Sequence, residues 1–261
     1  LGASIGIALM NAPGESAETL LNYADAAMYA AKSAGRFQVR VYHRELMQGL
    51  GARLSLRGDI QDALSGNQFE LHFQPQISMH DASLCGAEAL LRWRHPTRGL
   101  LAPAAFLDVI LDSPLEPALT EWVANATCRH ISEWLAEGLP VPRISFNLSA
   151  RQLVAPDLAD TIVHLARRHG VPPTLLDVEV TENSLMSDVE KASSILAALR
   201  AAGISASLDD FGSGYSSLAY LARLPIDTLK IDQSFVWALG KVPTATAVIR
   251  GVVRLAHSLG M

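Results

Sequence analysis

The chain has 261 residues, 49% of them apolar and 18% charged, with a net charge of −5. That is enough apolar material for one large domain or two small ones. The acidic balance excludes a basic nucleic-acid scaffold but not an anionic ligand held through metal ions.

No stretch of about 18 apolar, charge-free residues is present to cross a membrane, and no secretory signal pattern opens the chain. The expected compartment is the cytoplasm, with any membrane anchor in an unseen N-terminal region. Cys85 and Cys128 lack metal-ligand spacing and read as reduced thiols, core or semi-buried. The chain starts on a strand-like run at Leu1 and stops inside a helical pattern, which is expected of a fragment of a longer protein.

Residues 3–9 read as a strand and Asn11–Gly14 as a turn. Ser16 then caps a helix with Glu18 in its first turn. Leu20, Leu21, Ala24, Ala27, Met28 and Ala31 form its apolar stripe, Gly35 suits the position beyond its end, and a strand follows at 37–42. A connecting helix is expected at 44–64. Residues 69–77 and 84–93 read as two strands joined by a turn at His80-Asp81. Further strands are expected at 143–148, 175–181, 204–209 and 226–231, and helices at 103–111, 115–137, 157–169, 188–202, 215–222 and 242–259. Trp122 and Trp134 share one helical stretch and read as core. His95 and His169 read as turn and helix-end residues.

Short apolar strands separated by helices argue for βαβ units and a parallel sheet buried on both faces. The acids favour a barrel over an open sheet, because they sit at the C-terminal ends of successive strands, where barrel enzymes build active sites. In order, the strand ends offer Glu88 and Arg92, then Asn147, then Glu179 and Glu182, then Asp209-Asp210, then Lys230 and Asp232. Carboxylate and amide oxygens are hard ligands suited to Mg²⁺ or Mn²⁺. Crowded carboxylates repel unless cations neutralise them. Asp209 and Asp210 can feed two metals about 3.5–4 Å apart, the spacing of two-metal phosphoester hydrolysis. Lys230 can orient or help deprotonate the attacking water, and Arg92 can hold a phosphate oxygen by a forked contact. Taken singly, each of these is an ordinary cap, turn or surface charge. The ordered series is what points to chemistry.

That series resembles the EAL family of cyclic di-GMP phosphodiesterases from about residue 60 onward. The likeness is carried by Phe73-Gln74-Pro75-Gln76, Gly86-Ala87-Glu88-Ala89-Leu90-Leu91-Arg92-Trp93, Phe146-Asn147-Leu148-Ser149, Glu179-Val180-Thr181-Glu182, the run from Leu208 to Leu218, and Leu229-Lys230-Ile231-Asp232. The resemblance implies a modified TIM barrel of α/β class with an antiparallel first strand. It implies Glu88, Asn147, Glu179, Asp209 and Asp210 as ligands of a two-metal Mg²⁺ or Mn²⁺ site. Lys230 would act on the attacking water, with Lys230, Glu88 and Asp209 as the catalytic set. Gln74, Leu90 and Arg92 would line the substrate site, and Glu182 would brace the loop from Phe211 to Ser217. The implied reaction is hydrolysis of cyclic di-GMP to linear pGpG, and the implied assembly is a homodimer through the same domain.

Residues 1–42 resemble the end of a GGDEF domain through Ala3–Ala8 and Ala24–Arg36, giving an expected organisation of a remnant at 1–42, a linker helix at 43–59 and an EAL domain at 60–261. The cyclase signature itself would lie upstream of Leu1. The barrel is expected to be truncated before its seventh and eighth strands, and with them goes a further family glutamate. A fragment of poor stability is the expected consequence. The stretch Asp112–Pro117 departs from the family's Glu-x-x-Gly-Leu-Ile and is expected to alter local packing or the dimer surface, not the chemistry. A degenerate domain that binds cyclic di-GMP without cutting it is the alternative from another class, and a bare interaction platform is a third.

Overall fold

The computed structural model describes residues 2–10, 15–33, 37–43, 56–111, 113–186, 188–212 and 221–261. The turn at Asn11–Gly14, Gly35, most of the linker helix, most of the helix expected at 215–222 and most of the Phe211–Ser217 loop lie outside the described residues. The chain divides into two compact units, Leu1–Gly66 and Asn67–Met261.

In the first unit, β1 (Ile5–Ile7), α1 (Ala17–Ser33) and β2 (Val39–Val41) make a βαβ crossover, with residues 56–65 forming helix α2. β1 and β2 pair in parallel with Ile5 opposite Val39, both shorter than the expected strands. Ser16 caps α1 as its spacing requires, its Oγ accepting from the Thr19 N–H at 3.1 Å. The helix lies directly on β1 because Gly6 has no side chain: a Cβ there would stand 2.0 Å from the Ala24 carbonyl oxygen. Ala26, Ala27 and Tyr42 form the small core, and the Tyr23 and Tyr42 rings stack at 4.0 Å.

The second unit is built on one sheet. Its strands are β3 (Phe69–Ile77), β4 (Leu84–His95), β5 (Gly99–Leu101), β6 (Arg143–Leu148), β7 (Leu176–Thr181), β8 (Ser205–Phe211) and β9 (Thr228–Ile231). The path runs β3-β4-β6-β7-β8-β9, with β5 pairing β4 off the path. β3 is antiparallel to β4 and every later step of the path is parallel. This is the modified barrel order expected from the sequence. Among the described residues no strand joins β9 back to β3.

Helices α3 (Leu107–Leu111), α4 (Glu116–Ala136), α5 (Leu158–Arg168), α6 (Glu182–Met186), α7 (Val189–Ala201), α8 (Gln233–Trp237) and α9 (Pro243–Ser258) complete the unit. The strands alternate. Ile144, Phe146 and Leu148, then Leu176, Val178 and Val180, then Ala206 and Leu208 are all buried apolar positions, while Ser145, Asp177, Glu179 and Ser207 between them are buried and polar. The polar set therefore shares the opposite face of the sheet. Trp122 rests on Phe69 at 5.7 Å and Trp134 on Phe73 at 4.8 Å, holding α4 against β3, although both are half-buried and not core as the sequence suggested.

Several details differ from the sequence reading. The helix expected at 103–111 is a 3₁₀ turn at Pro103–Ala105 followed by α3, because Phe106 leaves helical geometry at φ −143°. β5, α6 and α8 were not foreseen. Each has three to five residues, too few to show a period. Glu182 is not at a strand end but opens α6. His95 ends β4, its Nδ1 accepting from the Thr97 N–H at 3.2 Å, and His169 caps α5 and contacts Asn125 Oδ1 at 2.9 Å. Cys85 is exposed rather than core or semi-buried, while Cys128 is fully buried. Burial pushes the Cys128 thiol up to about 11. Iodoacetamide at pH 8 is therefore expected to modify Cys85 and spare Cys128 in the native protein. Equal labelling of both, read by peptide mass spectrometry, would contradict the packing around α4.

Candidate active site

The sheet delivers its polar residues to one place by register. Gln74 on β3 stands opposite Glu88 on β4, and Asn147 on β6 stands beside Glu179 on β7. On β8 the pairing with β9 slips: Leu208 faces Leu229 and Phe211 faces Ile231, so β8 spends one more residue than its partner. That is a β-bulge, and its extra residue is Asp210, held in left-handed backbone at φ +54°. Leu208 and Phe211 consequently both remain buried, and the two aspartates fall at the break in the alternation.

Lys230 on β9 is the hub. Its ammonium donates to Glu88 Oε2 at 3.1 Å and to Glu179 Oε2, and pairs with Asp209 Oδ1 at 3.2 Å. Asn147 Nδ2 donates to Glu88 Oε1 at 2.9 Å. Five sequence-predicted residues from five strands thus form one hydrogen-bonded cluster. Asp210 adjoins it through the bulge. Leu90 and Arg92 lie two and four residues beyond Glu88, on its face of β4. Arg92 does not join the cluster: its Nη1 donates to the Leu91 carbonyl at 2.8 Å. Glu182 is 4% exposed, and its Oε2 finds no hydrogen-bond partner among the described residues. It follows directly on Thr181, the last residue of β7 and the one that pairs Asp209.

The electrostatics follow from burial. Glu179 is 1% exposed, and desolvation pushes its carboxyl up to about 7 against the hydrogen bonds from Lys230 and Ser145. Desolvation also pulls Lys230 downward, but its bond to Glu179 and the charges of Glu179, Glu88 and Asp209 outweigh that, so the ammonium is held above its ordinary range. As an ammonium, Lys230 donates to the acids around it. Asp210 is raised by desolvation, then by the charges of Asp209 and Asp232.

Sequence reasoning left out the layer beneath. Ser207 Oγ donates to Asp177 Oδ2 at 2.7 Å, and Asp177 is 3% exposed. Burial raises its carboxyl to about 6. The signal was present: Ser145, Asp177 and Ser207 each precede Asn147, Glu179 and Asp209 by two residues within otherwise apolar strands. Asp232, named only as part of the sixth strand end, caps α8 by accepting from the Ser234 N–H at 2.8 Å, and that serine lowers its carboxyl.

Among the described residues, no three His, Cys, Asp or Glu side chains stand as a ready metal site. Lys230 takes the central place. The donor set nonetheless fits a hard divalent cation. Three carboxylates already converge on one cationic atom. Glu179 Oε1, fully buried, has no hydrogen-bond partner among the described residues, and all the oxygens are of the type Mg²⁺ and Mn²⁺ prefer.

Comparison with known proteins was made against this geometry. Residues 57–261 match the model of the EAL domain family, and residues 1–38 match that of the diguanylate cyclase GGDEF domain. The chain is 38% identical over 261 residues to the bifunctional diguanylate cyclase/cyclic di-GMP phosphodiesterase MucR of Pseudomonas aeruginosa, covering 100% of this chain and 38% of MucR. It is 35% identical over 258 residues to the cyclic di-GMP phosphodiesterase PdeR of Escherichia coli, covering 99% of this chain and 39% of PdeR. A solved structure of the MucR phosphodiesterase in complex with c-di-GMP superposes with a TM-score of 0.75 at 39% identity, covering 79% of this chain and 84% of that one. The chain spans about 38% of the length of MucR and 39% of that of PdeR, well under half of either curated relative.

Proposed function

The chain belongs to the EAL domain family, and from that premise we propose that its larger unit hydrolyses one phosphodiester bond of cyclic di-GMP, giving linear pGpG. The observation that carries this reading is the convergence of Glu88, Glu179 and Asp209, from β4, β7 and β8, on the single ammonium of Lys230. Phosphodiesterases of this family are metal-dependent. Here Glu88, Asn147, Glu179, Asp209 and Asp210 would hold two Mg²⁺ or Mn²⁺ ions. When bound, such ions lower the pKa of a water and stabilise charge on the attacking and leaving oxygens.

The remaining work belongs to the chain. Lys230 donates to the attacking water and aims it at phosphorus. As the new P–O bond forms, one ester P–O bond breaks: the water oxygen stays on phosphorus with one of its protons, and the other proton it gives up balances the one taken up by the leaving oxygen. Gln74, Leu90 and Arg92 line the approach of the dinucleotide, and Arg92 must leave the Leu91 carbonyl to fork onto a phosphate oxygen. Glu182, whose buried Oε2 has no hydrogen-bond partner among the described residues, would brace the loop that follows Phe211. In this reading the first 42 residues are the end of a GGDEF domain, 43–59 a linker helix and 60–261 the EAL domain. In this reading the barrel closes through strands between β9 and β3, none of which is among the described residues. The reading includes a cytoplasmic location and a homodimer through the EAL domain. Exposed Val236, Trp237 and Leu239 supply apolar surface for such an interface. Among the described residues no helix is long and apolar enough to cross a membrane.

The test is chromatography of cyclic di-GMP incubated with Mg²⁺ or Mn²⁺, using the 261-residue chain and the chain extended through the closing strands. The extended chain is expected to yield pGpG, to stop on addition of EDTA, and to be inactive as Asp209→Ala. Binding of the dinucleotide by the folded, extended chain without any pGpG would replace the hydrolase reading with that of a receptor.

A further inference from the structure

We infer that Glu116 is a positioning residue for Asn147, acting through Ser149. Glu116 opens α4 and is 2% exposed. Its carboxylate accepts from Ser149 Oγ. Ser149 is the first residue beyond β6 and stands two residues after Asn147. The same serine is held from its other side, since its N–H donates to Gln152 Oε1 at 2.9 Å and its carbonyl accepts from the Gln152 N–H at 3.2 Å. Arg151 Nη1 lies 3.8 Å from Glu116 Oε2 and reaches the Ser113 carbonyl at 3.5 Å. The turn leaving β6 is thus tied to the start of α4 at several points, with Glu116 in the middle.

A buried carboxylate is a costly way to fill space, because its desolvation must be offset by pairing. An apolar side chain would pack the same position without that cost. What the carboxylate adds is direction: it fixes where the Ser149 hydroxyl points, and so the course of the backbone that ends β6. Leu148 is buried beneath this turn, so the strand end cannot swing freely. Asn147, next in line, presents its amide to Glu88 at 2.9 Å. The stretch Asp112–Pro117, expected from sequence to alter local packing or the dimer surface and not the chemistry, therefore reaches toward the site through one hydrogen bond. Glu116 and Gln152 also border a cavity of about 180 Å³, which leaves room for a side chain of changed polarity at Glu116.

This inference rests on the metal reading of the cluster, and its test reads metal binding directly. Mn²⁺ affinity is measured from the free-ion electron paramagnetic resonance signal on the extended chain, in parallel with hydrolysis and thermal melting. Glu116→Leu is expected to weaken Mn²⁺ binding about tenfold, the size of effect of partners that orient metal ligands, with the KM for cyclic di-GMP unchanged. Glu116→Gln, which keeps an acceptor for Ser149, is expected to return to within about twofold of the parent. Ser149→Ala should match Glu116→Leu, and the double variant should be no worse than either, since both remove one link. Additive losses, or Mn²⁺ binding by Glu116→Leu equal to the parent, would overturn the inference. A change confined to the melting temperature would do the same. If Glu116→Leu fails to fold, Ser149→Ala, which removes one oxygen, decides alone. A parent chain that binds no Mn²⁺ overturns this inference together with the metal reading. One that binds Mn²⁺ with these differences but cuts nothing leaves the inference standing and removes the hydrolase.

Discussion

Lys230→Met is expected to destabilise the metal-free protein by about 3 kcal/mol, to bind Mn²⁺ more tightly than the parent, and to lose hydrolysis by about 10²–10⁴-fold. The three effects have one origin. Lys230 is the cation on which Glu88, Glu179 and Asp209 converge. Without it three carboxylates share one site with nothing between them, and Glu179 is 1% exposed. Removing one partner of a buried pair costs far more than the pair is worth, because the remaining charge has no water to return to. Burial already raises Glu179 above its unfolded value. A group raised in this way contributes its stability below the unfolded carboxyl range and loses it as pH climbs toward the folded value, about 7 here. The deficit of the variant should therefore be larger at pH 8 than at pH 5. A divalent ion restores the missing charge, so Mn²⁺ should recover most of the melting temperature and none of the rate. Thermal melts with and without Mn²⁺, beside initial rates, check all three. A variant as stable as the parent without metal would mean that the lysine is not the hub of the cluster.

Trp93→Ala is expected to cost about 3–5 kcal/mol, the range for truncating a fully buried large aromatic. Trp93 is 0% exposed. Its ring meets Phe69 at 5.7 Å, Phe106 at 5.3 Å and His95 at 4.7 Å, and its Nε1 donates to Gln68 Oε1 at 3.1 Å. This cluster joins the antiparallel pair β3–β4 to the turn before α3, and Phe69 carries the contact on to Trp122 of α4. Its loss would loosen the strand that bears Glu88 without altering any polar group of the site. Urea unfolding should show a lower midpoint for Trp93→Ala. Trp93→Phe, which keeps a ring but not the N–H, should fall between the two. An unchanged midpoint would place the stabilising core of the unit elsewhere.

Much of this was legible in the residues. Runs such as Leu176–Thr181 and Arg143–Leu148 are short, apolar and bounded by turns, so strands and their order followed from local pattern. That Glu88, Asn147, Glu179, Asp209 and Lys230 lie on successive strands followed from the same pattern, although Glu88 stands in the middle of β4 and not at its end. The partners within the cluster did not. Glu88 and Lys230 are 142 residues apart, and only the three-dimensional course of the sheet, which brings β9 within hydrogen-bond reach of β4, decides that the lysine sits among the acids rather than beside them. Glu116 was missed for the same reason: its partner Ser149 is 33 residues away on another element. α6 and α8 owe their existence to tertiary placement and capping, as Asp232 does for α8, not to any period of their own.

The bulge in β8 has a consequence for how this sequence tolerates change. A point substitution at Asp210 alters one side chain, but deleting a single residue between Leu208 and Phe211 would reset the phase of the strand. The strand would then alternate regularly, with Leu208 and Phe211 still on the buried face, but one aspartate of the pair would be lost together with the bulge. Length, more than identity, is what this segment must keep. Insertions and deletions there should be far rarer in functional descendants than replacements, and a library that varies the spacing of the segment should lose function more abruptly than one that varies its letters.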